Sequence, residues 1–148
     1  FIVLPTKITA QEIILSETAE LSILTMGPGN DLNDSFGHSA FRVKDTTQNI
    51  DVVYNYGVYD FNTPNFYLKF AQGKLLYTLD RNNFTPFYNY YSKQNRWIKE
   101  QVLNLNPSEK KTSLIFCKTI SNQKTEPISM ISFLIIVLPK SEMFWQLS

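Results

Sequence analysis

His38 is the single imidazole of the chain, and Cys117 is its single thiol. An imidazole titrating near neutral pH can take a proton from a nucleophile. A thiol that gives up its proton becomes a strong nucleophile and can form a covalent intermediate. His38 stands in DSFGHSAFRV, at the start of an apolar run and directly after a glycine. Gly37 lets other backbone or a substrate come close. On these residues alone a general base and a structural histidine at a strand start both fit, and the local chemistry favours the structural one.

A partner for the imidazole is not evident. Cys117 lies in SLIFCKT, where a continuing helix makes it a buried, inert cysteine among apolar neighbours. Ser39 adjoins His38, but neighbours in a strand point to opposite faces. No Gly-x-Ser-x-Gly elbow occurs. The residues therefore give no complete catalytic set.

Other chemistries are excluded or weak. One cysteine and one histidine leave no disulfide framework and no metal site built on several thiolates or imidazoles. No run of spaced carboxylates offers an alternative, so no metal and no cofactor is expected. The 14 basic and 13 acidic residues give a net charge of +1 and are spread along the chain. Without a basic stripe, nucleic acid is not an expected partner. GPGN, residues 27–30, has backbone N–H groups that could cradle an anion. Pro28 removes one donor, and the Lys-Ser/Thr of a phosphate loop is missing, so a tight turn is the better reading.

The elements that must position His38 follow from periodicity. ELSILTM, Glu20–Met26, is apolar and reads as a strand. Residues 27–34 are a Gly/Pro/Asn/Asp loop. A strand over residues 38–44 places Ser39, Phe41 and Val43 on one side and His38, Ala40 and Arg42 on the other. Residues 50–61, rich in Val and Tyr, read as its partner across a DTTQN turn. Residues 64–73 read as a helix with Phe66, Tyr67 and Phe70 on one face, and residues 75–80 as a short strand. Residues 84–105 read as one longer helix, with Tyr90, Trp97, Ile98 and Val102 at helical intervals. Asn106 then reads as an N-cap, with Pro107 at the first helical position and Glu109 three residues after the cap. At 148 residues and 43% hydrophobic content, one domain with a real core is expected.

The two ends read differently. FIVLPTKITAQE has an apolar stretch, a small residue and a polar flank in the order of a secretory signal. Residues 1–11 are therefore expected to be a signal-peptide remnant, and the product to be exported to the periplasm or cell envelope. After about Lys111 the periodicity breaks, and residues 130–138 form an apolar block too short for a bilayer, which takes ~20 residues.

SILTMGPGN, SFGHSAFRV, DVVYNYGVYDFNTPNFYLKFAQGKLLYTLDRNNF and RWIKEQVLNLNPSEKK occur in an order that resembles one family. This is the Lnb-type N-terminal periplasmic domain family of Bacteroidetes-like bacteria, and the resemblance covers residues 12–111. The family is marked by a histidine in Phe-Gly-His-Ser-Ala and by a later Asn-Cys-(Ser/Thr)-Thr motif. That order resembles circularly permuted papain-like enzymes of the NlpC type. The resemblance implies a thiol hydrolase or acyltransferase with His38 as base, acting on an amide or ester in the cell envelope. The sequence departs from the family twice. Met26 stands where members often carry cysteine, and the Asn-Cys motif is missing.

The tail offers a reason. Back-translated and read from the third base of each codon, Met130–Ile131 must give Asp, Met143–Phe144 Val, and Trp145–Gln146 Ala. With allowed codons, residues 134–146 can read Asp-Asn-Cys-(Ser/Thr)-Thr-Lys-Ile-Arg-Asp-Val-Leu-Ala. Residues 122–126 can read Pro-Glu-Asn-Arg. A frameshift between about Lys111 and Ser113 is therefore expected, with the missing thiol encoded across Ile136 and Val137. The domain organisation expected is a signal remnant at 1–11, a partial periplasmic domain at 12–112 and an aberrant tail at 113–148.

The fold expected is α+β: a small antiparallel sheet carrying His38, packed with helices, related to permuted papain-like folds and with its C-terminal part missing or aberrant. Asn55 or Asp51, on the paired strand, is expected to orient the imidazole. As given, the chain is expected to be catalytically inactive. The alternative is a non-catalytic envelope module binding glycan or lipid through the Tyr/Phe-rich residues 52–61, with membrane proximity in either case.

Overall fold

The computed structural model describes residues 14–31, 34–60, 62–72, 74–75 and 78–122. The expected signal remnant at 1–11, and the expected aberrant tail from residue 123 onward, lie outside the described residues. The fold is α+β. Five antiparallel strands form one sheet: β1 (Glu20–Met26), β2 (His38–Asp45), β3 (Ile50–Val58), β4 (Thr78–Asn83) and β5 (Ile98–Val102). Their order is β4-β3-β2-β1-β5. The helices are α1 (Phe66–Ala71), α2 (Phe84–Lys93) and α3 (Pro107–Asn122).

The alternation of β2 decides the layers. Phe41 and Val43 face the same side as Leu21, Ile23, Val52 and Tyr54, and Leu114, Cys117 and Ile120 of α3 cover that side. Ala40 faces the other side with Leu24, Met26 and Val53, under Phe87 and Tyr91 of α2. His38 and Arg42 share this second face with Ala40, since strand side chains repeat every two residues. The register Phe41↔Tyr54 and Val43↔Val52 keeps both apolar sets on their own faces.

Four expectations are corrected. The helix expected over residues 84–105 ends at Lys93, and Ile98–Val102 is a strand paired with β1. Asn95 takes a left-handed conformation with φ 57°. Asn95 N–H donates to Ser92 O at 3.0 Å and Arg96 N–H to Tyr91 O at 3.2 Å, the pair of bonds that closes a Schellman cap. Tyr90, Trp97 and Val102 are consequently exposed, and Phe87 and Tyr91 are the residues α2 buries. The strand expected at 75–80 is Thr78–Asn83, because pairing with β3 selects these polar residues against their own propensity. The expected partner strand at 50–61 stops at Val58, after an irregularity in the pairing between Tyr56 and Val58. Within α1, Phe66 is buried but Tyr67 is 64% exposed, so Tyr67 leaves the face assigned to it.

The start of α3 is as the sequence requires. Asn106 Oδ1 accepts from Glu109 N–H at 3.0 Å, and Glu109 Oε2 accepts from Asn106 N–H at 2.8 Å, a reciprocal capping box. The helix continues through Lys111 and Ser113 to Asn122.

Gly37 enters β2 with φ 75°. A Cβ there would lie 2.7 Å from the Met26 carbonyl oxygen, which is backbone of the neighbouring strand. Gly37→Ala is expected to destabilise the fold by about 1–2 kcal/mol through left-handed strain and this close approach. Urea denaturation monitored by circular dichroism checks it.

Candidate active site around His38 and Asn55

His38 opens β2 on the α2 side of the sheet. Asn55 pairs with Ala40, the next position along that face, and so stands diagonally from His38. His38 Nε2 and Asn55 Oδ1 are hydrogen-bonded. An amide oxygen can only accept, so Nε2 carries the proton and Nδ1 keeps the basic lone pair. This is the tautomer a general base needs, and the amide fixes the plane of the ring.

Asp51, the other residue expected to orient the imidazole, is placed elsewhere. It pairs with Lys44, six residues along β2 from His38, which is about 20 Å at the rise of a strand. Both its oxygens accept from Arg42, Oδ1 from Nε and Oδ2 from Nη2, each at 2.8 Å. Arg42 also reaches Glu100 at 3.0 Å and covers the ring of Phe84 at 3.4 Å. Asp51 therefore belongs to a separate ionic cluster on the same face.

A pocket of about 530 Å³ opens beside the imidazole and Asn55. Asp31 and Asp34 wall it from the loop after β1, and Tyr59 from the end of β3. Tyr67 of α1 and Tyr90 and Tyr91 of α2 complete the wall. The Tyr91 ring lies nearly parallel to the imidazole, at 14° and 6.4 Å between centroids. Tyr54 and Tyr56, in the stretch expected to offer an aromatic binding face, are core residues at 1% and 2% exposure. Of the pocket-lining tyrosines, Tyr59 lies in that stretch, Tyr67 and Tyr90 were read only as helix-face positions, and Tyr91 was not singled out; separate parts of the chain bring the four together.

Burial lowers the His38 pKa below its ordinary 6.5; the Asn55 bond raises it, Arg96 lowers it, and Asp34 raises it, with a net downward shift. The unfolded chain therefore binds a proton that the folded chain resists. The His38 contribution to stability is fully present above pH 6.5 and is lost as pH falls toward the depressed folded value. Urea midpoints taken through this window are expected to fall with pH, and His38→Gln is expected to flatten that part of the curve.

Cys117 is on the other side of the sheet. It is fully buried on the sheet-facing side of α3 with Phe41 and Tyr54, and burial pushes its thiol pKa up. It is therefore inert and separated from His38 by the sheet itself. Met26 is the cross-strand partner of His38 and is 1% exposed. GPGN does not act as an anion cradle: Gly27 N–H is bonded to Trp97 O at 2.8 Å and Gly29 N–H to Asp34 O at 2.9 Å. Among the described residues no group of three or more His, Cys, Asp or Glu could hold a metal ion. No helix among them is long and apolar enough to cross a membrane.

The family model of the Lnb N-terminal periplasmic domain matches residues 8–129. The chain belongs to this family. No curated protein and no solved structure matches it. As an Lnb N-terminal domain it is a periplasmic domain by family, and His38 and Asn55 both lie inside the matched region. The match extends past Lys111 across all of α3.

Proposed function

We propose that this Lnb domain is the imidazole-bearing half of a thiol hydrolase or acyltransferase of the cell envelope, with His38 as base and Asn55 as the amide that orients it. The observation that carries the reading is the His38–Asn55 pair on the wall of an open pocket. Cysteine, histidine and asparagine recur in this division of labour among papain-like enzymes.

The chemistry runs in two balanced halves. His38 Nδ1 takes the proton of a cysteine Sγ–H, and the thiolate attacks the carbonyl carbon of an amide or ester. The tetrahedral intermediate collapses, the leaving nitrogen or oxygen takes the proton from Nδ1, and an acyl-thioester remains. Water or a second nucleophile then gives its proton to Nδ1, attacks the thioester and releases the thiol. Asn55 keeps Nε2 protonated in both halves.

The chain as given has no thiol on the His38 face among the described residues. We assign the nucleophile to the Asn-Cys encoded one frame away across Ile136 and Val137, and the frame change to the region between Lys111 and Ser113. Residues 113–122 nevertheless continue α3 and bury Leu114, Cys117 and Ile120 against the sheet. In this reading the chain is exported but inactive until the frame is restored. Sequencing the gene through codons 105–148 is the first test, and a shifted frame without Asn-Cys ends the proposal. The frame-restored protein, incubated with p-nitrophenyl acetate, is expected to carry an acetyl group on that cysteine by mass spectrometry. Absence of the adduct at pH 7–8 counts against a nucleophilic cysteine.

The second reading, a non-catalytic module binding glycan or lipid, finds its aromatic surface around the pocket, at Tyr67 and Tyr90. It predicts no adduct and binding that is indifferent to His38→Ala.

A further inference from the structure

Arg96 follows the Schellman cap of α2, and its side chain is 2% exposed. Burying a guanidinium is costly unless it is well paired. Its contacts converge on the surroundings of His38. Nε donates to the Gly27 carbonyl oxygen at 2.7 Å, at the start of the loop after β1. Nη1 meets Asp34 Oδ2 at 3.1 Å, at the end of the same loop. The guanidinium carbon lies 4.8 Å over the ring of Tyr91, the ring that stacks on His38. Nη1 also donates to Gln94 Oε1 at 3.3 Å, within the cap. Nη2 has no hydrogen-bond partner among the described residues.

The loop is shaped to admit this side chain. A Cβ on Gly29 would lie 2.8 Å from the Asp34 Cβ and 3.3 Å from Arg96 Nη1. Asp34 in turn accepts, through its backbone oxygen, from Gly29 and Gly37 N–H at 2.9 and 3.1 Å. Gly37 directly precedes His38. The guanidinium thus ties the C-terminal end of α2 to both ends of the loop that walls the pocket.

We propose that Arg96 is a positioning residue for the His38–Asn55 pair, fastening Gly27, Asp34 and the Tyr91 ring around the imidazole. It touches neither ring nitrogen and has no direct part in proton transfer. Its catalytic consequence rests on the reading of His38 as a base, but its placement does not. The ionisable groups that face the imidazole are Asp31 and Asp34 on the loop, Tyr59 after β3, Tyr67 on α1, Tyr90 and Tyr91 on α2, and Arg96 itself. Tyr91 is held neutral, since burial pushes its pKa up to about 12. Arg96 and Asp34 are therefore the pair whose balance the imidazole senses most directly.

The single histidine makes the test direct, because one imidazole C2–H resonance reports His38 in proton NMR. In the chain as it exists, Arg96→Gln is expected to raise the His38 titration midpoint, as a cation that disfavours the imidazolium leaves its neighbourhood. Asp34→Asn is expected to move it the opposite way. Arg96→Lys, which keeps the charge but not the planar fork, is expected to recover part of the midpoint while leaving the Gly29 and Gly37 amides faster to exchange with deuterium. If Arg96→Gln lowers stability but leaves the midpoint where it was, Arg96 is a packing residue and the proposal is overturned. If Arg96→Gln fails to fold, Asp34→Asn decides: a downward shift supports the proposal, and an unmoved midpoint overturns it. None of these measurements needs the cysteine, so a failed adduct experiment and a failed titration remain separate results.

Discussion

His38→Ala in the frame-restored protein is expected to slow p-nitrophenolate release from p-nitrophenyl acetate by about 10²–10⁴-fold at pH 7, the range a positioned general base contributes. His38 is the single imidazole of the chain up to the proposed frame change. Asn55→Ala is expected to cost about tenfold, the worth of one hydrogen bond of roughly 1.4 kcal/mol. Asn55→Asp restores an acceptor for Nε2–H and adds a negative charge. It is expected to regain most of the rate and to move the acid limb of the pH–rate profile to higher pH, since a carboxylate favours the charged imidazolium. A folding defect alone lowers the rate without moving that limb. Equal rates for the parent protein and His38→Ala would remove the base role.

Asp45→Ala is expected to destabilise the fold by about 3 kcal/mol, because several bonds to one buried charge are lost together. Asp45 is fully buried at the end of β2. Its Oδ2 accepts from Ser16 N–H at 2.7 Å, and its Oδ1 from Ser16 Oγ at 2.8 Å, Thr47 N–H at 3.1 Å and Gln48 N–H at 3.2 Å. Asp45 thus closes the β2–β3 turn and ties the segment before β1 to it. Burial alone would raise its pKa, but the Ser16, Gln48 and Thr47 bonds outweigh burial and lower it. Its contribution is present above the ordinary carboxylate value of 3.8 and is lost as pH falls through the lowered folded value. Urea midpoints of the parent protein are expected to drop steeply in that acid range. Asp45→Asn, with one oxygen still able to accept, is expected to flatten the drop and to cost less stability at pH 7 than Asp45→Ala. An Asp45→Ala protein as stable as the parent at pH 7 would contradict the assignment.

The sequence by itself determined the three central strands, because alternation and β-branched content act locally and needed no partner to be read. It determined that His38 and Phe41 lie on opposite faces, and that Asn106 and Glu109 cap a helix between them. It also singled out the Lnb family, through motifs whose order survives in the chain. It did not determine where α2 stops. Tyr90, Trp97, Ile98 and Val102 fit a helical face, and one asparagine in a left-handed conformation ends the helix where neither Gly nor Pro marks it. Ile98–Val102 then becomes a strand because the free edge of β1 offers it hydrogen bonds, a cause that lies more than 70 residues away in the chain.

Only the tertiary structure chose between Asn55 and Asp51. Both lie on β3 and on the same face, so alternation cannot separate them. The register Ala40↔Asn55 and Lys44↔Asp51 puts the amide beside the imidazole and the carboxylate beside Arg42. Only the tertiary structure showed that Cys117 lies across the sheet from His38 and that Arg96 is tied to the loop beside it. Side-chain direction is a local property of a strand, whereas which groups meet is set by register, layer and the point where each helix ends.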